Sequence, residues 1–420
     1  MTAQGCEPAR AARTVLAALV VVVLLAAGAS PAGAAGGREG VPVIHAPSAI
    51  LVEPATGDVV FDRHGEDPRF VASTTKLMTA LLTLERSSLS RQMTAVRYRA
   101  APAESIAGFR AGERLTVADL LRALLVDSAN DAAATLAHGV AGSSAAFVVL
   151  MNRRARELGL TSTHYANPIG LDEAGNHSSA ADLVKLALIL RRNAFFRQVT
   201  NLRQTTLRSG AHPRTFPNRN LLVRTQPFVN GVKTGHTSRA GYVLVGSATR
   251  GGITVISAVL GDPSEAARDA DSLALLRYGL SRYHRITVMR KGGRYAQARL
   301  RFRHGDVALV ASRTVRRIAR RDETVTTRVV DAPAELDGPL PAHARVGTIE
   351  VLARGRVVGR VDLVTAAAVP EAGFLDHARA IMGATTTIAL LGVLVLASLQ
   401  LVLLRRRAVR RRRRAGEGIA

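Results

Sequence analysis

Ser73 and Lys76, in the stretch "ASTTKLMTA", form a pattern that can turn a serine into a nucleophile. A serine hydroxyl attacks poorly until a neighbouring base removes its proton. On a helix, positions three apart share a face, so Lys76 can hold its amine beside the Ser73 oxygen. A lysine amine loses its proton when it is desolvated or set near another cation, whereas arginine stays charged. The chain holds 57 basic side chains, and only Lys76, Lys185, Lys233 and Lys291 are lysines. Two further patterns follow in order. Ser128-Ala129-Asn130 lies 55 residues after Ser73, and Lys233-Thr234-Gly235 comes 105 residues later. Each of the three occurs once, and together they use two of the four lysines.

The elements that must hold these residues are legible in the hydrophobic pattern. "SAILVEPATGDVVFDRH" reads as a β-hairpin turning at Thr56-Gly57-Asp58, and "AGYVLVGSATRGGITVISAVLG" as a second one around Gly251-Gly252. "TVADLLRALLVDSANDAAATLAHGV" has helical spacing, broken by the polar residues Asp127 to Asp131. "SEAARDADSLALLRYGLSRY" reads as a closing helix. After Tyr283, alternating segments such as "DVALVAS", "TVTTRVV" and "GTIEVLARGRVVGRVDLV" predict a small β-rich domain. The expected organisation is a catalytic domain over 43–280, a β-rich domain over 284–366 and a spacer over 367–384.

The set Ser-x-x-Lys, Ser-x-Asn, Lys-Thr-Gly is the signature of penicillin-binding proteins and class A β-lactamases. Here the sequence resembles the low-molecular-mass penicillin-binding proteins, the serine D-alanyl-D-alanine carboxypeptidases. The resemblance runs from about Ala49 to Leu280 and includes "STTKLMTALL", "NPIGLDEAGNHSSAADL" and "VKTGHTSRAGYVLVGSA". It implies an α/β (α+β) fold of the β-lactamase/transpeptidase-like type, a helix–sheet–helix sandwich with an antiparallel sheet. A small all-β domain and one C-terminal transmembrane helix would follow.

The resemblance also implies roles. Ser73 is acylated by the penultimate D-alanine of a peptidoglycan stem peptide, and Lys76 takes its proton. Ser128 relays a proton toward the leaving D-alanine, and Asn130 holds the substrate amide and the lysine. Lys233 supplies positive potential, Thr234 bonds the substrate carboxylate, and Gly235 lets the edge strand approach the bound peptide closely. The backbone N–H groups of Ser73 and His236 form the oxyanion hole. β-Lactam antibiotics are the implied covalent inhibitors. The middle residue of the second triplet, Ala129, departs from the aspartate common in that signature, at a position where the family varies. Only the backbone of His236 is expected to serve. His177, Asp127 and Asp131 are expected to be structural.

The ends of the chain indicate export. Arg10 and Arg13 precede the apolar run Val15 to Ala27, and Ala32-Gly33-Ala34 offers a cleavage site, so residues 1–34 read as a signal peptide. Cys6, the only cysteine, lies inside that leader, which leaves no thiol for disulfides, nucleophiles or metal sites. Residues 385–404 are uncharged and long enough to span a bilayer, and eight arginines follow between Arg405 and Arg414. Basic residues concentrate on the cytoplasmic side, which puts the 405–420 tail inside and the catalytic part outside.

The net charge is +25, and the exported body carries about +17 of it. That favours anionic surroundings such as wall polymers or lipid headgroups. Nucleic acid is not expected as a partner of an exported chain with no Trp and 4% aromatics.

Two rival functions share these features. A class A β-lactamase adds a water-activating glutamate between the second and third patterns. The candidates there, Glu157, Asp172, Glu173 and Asp182, lack the Glu-x-x-Leu-Asn context. A non-catalytic, membrane-tethered wall-binding or sensor protein would have no need of Lys76. The 11 histidines never lie within five residues of each other, against a zinc peptidase, and Val232 stands where a phosphate-binding loop needs glycine. No cofactor is implied.

Overall fold

A computed structural model describes residues 40–416, so the expected leader with Cys6 lies outside the described residues. The chain divides into two compact units. One holds residues through 249 together with 254–282, and the other holds 250–253 and 283 onward.

The first unit is built on a five-stranded sheet. Its strands are β1 (Ser48–Glu53), β2 (Asp58–Arg63), β3 (Val229–Thr237), β4 (Gly241–Arg250) and β5 (Ile253–Asp262), in the spatial order β2-β1-β5-β4-β3. The expected hairpins are both present: β1 pairs antiparallel with β2, and β4 turns into β5 through Gly251 and Gly252, both at positive φ. β4 and β5 are almost entirely buried, because both faces of the sheet are covered, and their sequences are correspondingly continuous runs of apolar and small residues. Val243 and Val245 join the large helical core with Leu77, Leu121 and Ala133. On the opposite face, Gly246 and Gly279 leave room for helix α4 (Glu265–Arg282): a Cβ on Gly246 would meet Ser272 Oγ at 2.8 Å. β3 is left at the sheet edge.

Inside the helical core runs α1 (Lys76–Arg86), with Lys76 to Thr83 all buried. The helical stretch 117–141 breaks where the polar residues predict. It is α-helical over Val117–Arg122, widens to a π turn over Ala123–Asp127, and stops at Ser128, whose φ is +66°. Helix α2 (Asn130–Ala141) then restarts. Wide turns of this kind are frequent at functional sites. Helix α3 (Ala180–Leu190) packs near β1.

The second unit has a six-stranded sheet in the order Val325–Val330, Arg345–Ala353, Arg356–Thr365, Asp306–Ala311, Arg294–Leu300, Glu335–Leu336, and a strand pair Tyr283–Met289 with Val315–Arg320. Ile349, Val351, Val361, Leu363, Leu309 and Ala298 form its core. Helix α5 (Phe374–Gly416) follows. The expected spacer is therefore helical from Phe374 onward. Among the described residues, Ile388–Arg411 is the single helical segment that is by itself long and apolar enough to cross a membrane, somewhat later than the expected 385–404.

Candidate active site

Ser73 sits in a single tight helical turn, Ala72–Thr75, directly before α1. Ala72, at φ +48°, makes the turn sharp. Lys76 opens α1 one turn later, its side chain fully buried, with Nζ hydrogen-bonded to Ser73 Oγ at 2.8 Å. The same amine donates to the Ile169 carbonyl at 2.7 Å. An amine so placed has its lone pair available for the Ser73 proton once it is neutral. Burial is the main reason that its pKa lies well below the ordinary lysine value. The positive charge of Lys233 pushes the same way, while Glu104 and Asp131 oppose it.

The Ile169 carbonyl belongs to a loop that the sequence reading singled out only as part of a resemblance. Asn167 Oδ1 accepts the backbone N–H groups of Ile169, Gly170 and Leu171, tying "NPIGL" into a tight knot. Thr79, on α1, donates its hydroxyl to the Pro168 carbonyl at 2.7 Å. Gly170, at φ +97°, presses on the Ser73 turn so closely that a Cβ there would lie 2.0 Å from the Ala72 carbonyl oxygen. The loop thus fixes Lys76 and the serine turn against each other.

The second and third patterns meet on the other side. Ser128 Oγ accepts from Lys233 Nζ at 2.9 Å, and Lys233 also donates to the Thr234 carbonyl at 2.8 Å. Lys233 is 1% exposed. Burial lowers its pKa to about 7, against the charge of Asp127, with Arg219 and Arg268 adding to the lowering. Asp127 in turn accepts from Arg219 at 2.9 Å. Gly235 brings β3 against the serine turn: a Cβ would stand 3.0 Å from Ser73 N and 3.1 Å from the Val71 carbonyl oxygen. The close approach at Gly235 is therefore to the backbone that carries Ser73. All three patterns converge on one place.

Between them lies a cavity of about 350 Å³, lined among others by Ser73, Glu104, Ser105, Asn130, Gly170 and His236. Asn130 donates from Nδ2 to Glu104 Oε2 at 2.7 Å, and Tyr98 donates its hydroxyl to the same oxygen. Neither Tyr98 nor Glu104 stood in any recognised pattern. An isolated acid in the basic stretch "RYRAAPAES" was the only signal, and it has no meaning until the loop is folded onto α2.

The residues expected to be structural have structural contacts. Asp131 accepts the N–H groups of Ala107 and Phe109, holding that loop. His177 exchanges backbone hydrogen bonds with His164. The His236 ring is stacked on Tyr242 at 4.1 Å. Of the four acids considered as water activators, Asp172 lines the same cavity as Ser73, and each of the four is held by hydrogen bonds. Asp172 accepts from Thr237 and Arg239, Glu173 from Asn167, Glu157 from Arg154, and Asp182 from Ser162 and Thr163.

Residues 36–264 match the family model described as D-alanyl-D-alanine carboxypeptidase. The D-alanyl-D-alanine carboxypeptidase DacD of Escherichia coli is 32% identical over 356 residues, which cover 80% of this chain and 90% of the relative. Penicillin binding protein 5 from Haemophilus influenzae is similar in structure, with TM-score 0.58, 27% identity, and coverage of 79% of this chain and 99% of that one. A DD-transpeptidase from Streptomyces has TM-score 0.55 and 32% identity, covering 58% of this chain and 100% of its own.

Proposed function

Because the chain belongs to the D-alanyl-D-alanine carboxypeptidase family, we propose that Ser73 is the nucleophile of a serine D-Ala-D-Ala carboxypeptidase and Lys76 the base that activates it. The reaction removes the terminal D-alanine from peptidoglycan stem peptides through an acyl-enzyme. The neutral Lys76 amine takes the hydroxyl proton as Ser73 Oγ bonds to the carbonyl carbon of the penultimate D-alanine. The oxyanion faces the backbone N–H groups of Ser73 and His236, each donor worth roughly 3–4 kcal/mol in such sites. Ser128, hydrogen-bonded to Lys233, passes a proton to the departing D-alanine nitrogen as the C–N bond breaks. Lys233 and Thr234 receive the substrate carboxylate, and Asn130 the substrate amide. Water then hydrolyses the ester and frees Ser73.

The observation that carries these roles is the 2.8 Å contact between a serine oxygen and a fully buried lysine amine, with a second enclosed lysine completing the site. The free outer edge of β3 suits an extended peptide laid alongside it. β-Lactams acylate the same serine. Neither rival function is favoured by the family match or the relatives. The apolar helix Ile388–Arg411 makes membrane association the natural setting, with the catalytic unit outside, the arginine-rich tail in the cytoplasm, and anionic wall polymers or headgroups around the basic body.

Intact-mass and peptide-mapping spectrometry of penicillin-treated protein tests the assignment. One adduct on Ser73 is expected. An adduct elsewhere, or none, would overturn it.

A further inference from the structure

Glu104 lines the same cavity as Ser73 and is bound into the site more tightly than any catalytic step so far requires. Its Oε2 accepts from Asn130 Nδ2 and from the Tyr98 hydroxyl, and its Oε1 accepts the Ala101 N–H at 3.1 Å. The loop that presents it is fastened to the start of α2. Asn130 N donates to the Ser105 carbonyl at 2.8 Å, and Asp131 holds Ala107 and Phe109. Glu104 and Asn130 are thus fixed relative to each other through both side chains and backbone.

We propose that Glu104 is a positioning residue for acyl transfer: its carboxylate locks the Asn130 amide with Oδ1 turned away toward the reaction cavity, and places a negative charge on the wall of the cavity that Ser73 also lines. A carboxylate only accepts hydrogen bonds, so the Asn130 NH₂ must face it and the amide cannot flip. The orientation leaves the Asn130 carbonyl oxygen for a donor on the other side, either a substrate N–H or an amine.

A direct role as proton acceptor fits Glu104 poorly. Burial pushes its carboxyl upward, but the hydrogen bonds from Tyr98, Asn130 and Ala101 and the charge of Lys76 hold it below the usual carboxylate range. A carboxylate stabilised in this way is a weak base near neutral pH. Its charge nevertheless acts on the lysine. The charges that act on Lys76 are those of Lys233 on β3, Glu104 in the loop before α2, and Asp131 on α2 itself. Glu104 and Asp131 favour its protonated form, and Lys233 with burial favours the neutral one. Removing the Glu104 charge therefore makes Lys76 lose its proton at lower pH.

This role rests on the assignment of Ser73 and Lys76, and the experiment separates the two. The full-length protein and the variants Glu104→Gln, Glu104→Asp and Tyr98→Phe are compared for the pH dependence of benzylpenicillin acylation, for peptidase kinetics and for thermal melting. Glu104→Gln is expected to move the acid limb of acylation to lower pH, by about half a unit or more for loss of one nearby charge. Its kcat/KM on a D-Ala-D-Ala peptide is expected to fall about tenfold, as an unlocked Asn130 orients substrate less well. Glu104→Asp and Tyr98→Phe keep the charge, so their acid limbs stay with the wild type.

An unmoved limb in Glu104→Gln overturns the proposal, as does an equal shift in Tyr98→Phe. If Glu104→Gln fails to fold, the Glu104→Asp and Tyr98→Phe limbs decide, since displacement of either contradicts a charge effect. Wild-type protein without an adduct on Ser73 would sink the nucleophile assignment instead.

Discussion

In the first unit Lys76 and Lys233 are enclosed, at 0% and 1% exposure, whereas in the β-rich unit Arg299 and Arg345 keep 74% and 69% of their side chains in solvent. Both units are rich in basic residues, but they use them differently. A solvated arginine paired with a surface carboxylate contributes about 0–1 kcal/mol and keeps its charge. A buried lysine is held at a cost to folding, because desolvation disfavours its charged form. The same desolvation lowers the pKa of both enclosed amines. The lesson is that basicity in this chain is reactive only where the fold withholds water from it.

Substitutions can break that contrast, starting with those at the serine turn. Ser73→Ala should abolish penicillin labelling altogether, and Lys76→Arg should lower acylation by about 10²–10⁴-fold, the usual worth of a positioned base, while both variants stay folded. Stopped-flow acylation with circular dichroism checks both. A Lys76→Arg protein that acylates normally would mean that the enclosed amine is not the base.

Next in size is Gly170→Ala. Its Cβ would collide with the Ala72 carbonyl at a backbone angle that disfavours side chains. A loss of about 1–3 kcal/mol in denaturant unfolding is expected, with slowed acylation, because the loop positions Lys76 and the serine turn together. Asp127→Asn sharpens the contrast by acting on Lys233. Asp127 favours the charged lysine, so its neutralisation should make Lys233 lose its proton at lower pH and draw the alkaline fall of activity downward from about 7. The pH profile of kcat/KM reads this directly.

The smallest effect belongs to the β-rich unit. Asp362 is half exposed where it meets Arg345, and Asp362→Ala should change stability by less than about 0.5 kcal/mol and leave acylation untouched. A large effect there would show that surface pairs matter as much as enclosed ones.

The sequence made the covalent grammar of the site readable because it is local. Ser73 and Lys76 share one helical turn, the Ser128 triplet announces itself by interrupting a helical pattern, and Lys233 precedes a strand of unbroken apolar residues. The hairpins around Gly57 and Gly251-Gly252 were readable for the same reason. What could not be read was contact made across the fold. Glu104 acquires its role only by lying beside Asn130, 26 positions away, and the Ile169 carbonyl by reaching Lys76, 93 positions away. The close approach of Gly235 could be expected, but not that it faces the backbone of Val71 and Ser73. The helix beginning at Phe374 also escaped notice, because a polar lead-in to an apolar span looks like linker until the two are continuous.

The second-order rate of benzylpenicillin acylation, measured from about pH 4 to pH 10 on the full-length protein, bears most directly on Lys76. If an enclosed, neutral amine activates Ser73, the rate should be maximal near neutrality, fall on the acid side as Lys76 takes up a proton, and decline above about 7 as Lys233 loses its charge. A rate that keeps climbing through pH 9 to 10, as an ordinary solvated lysine would dictate, would contradict it.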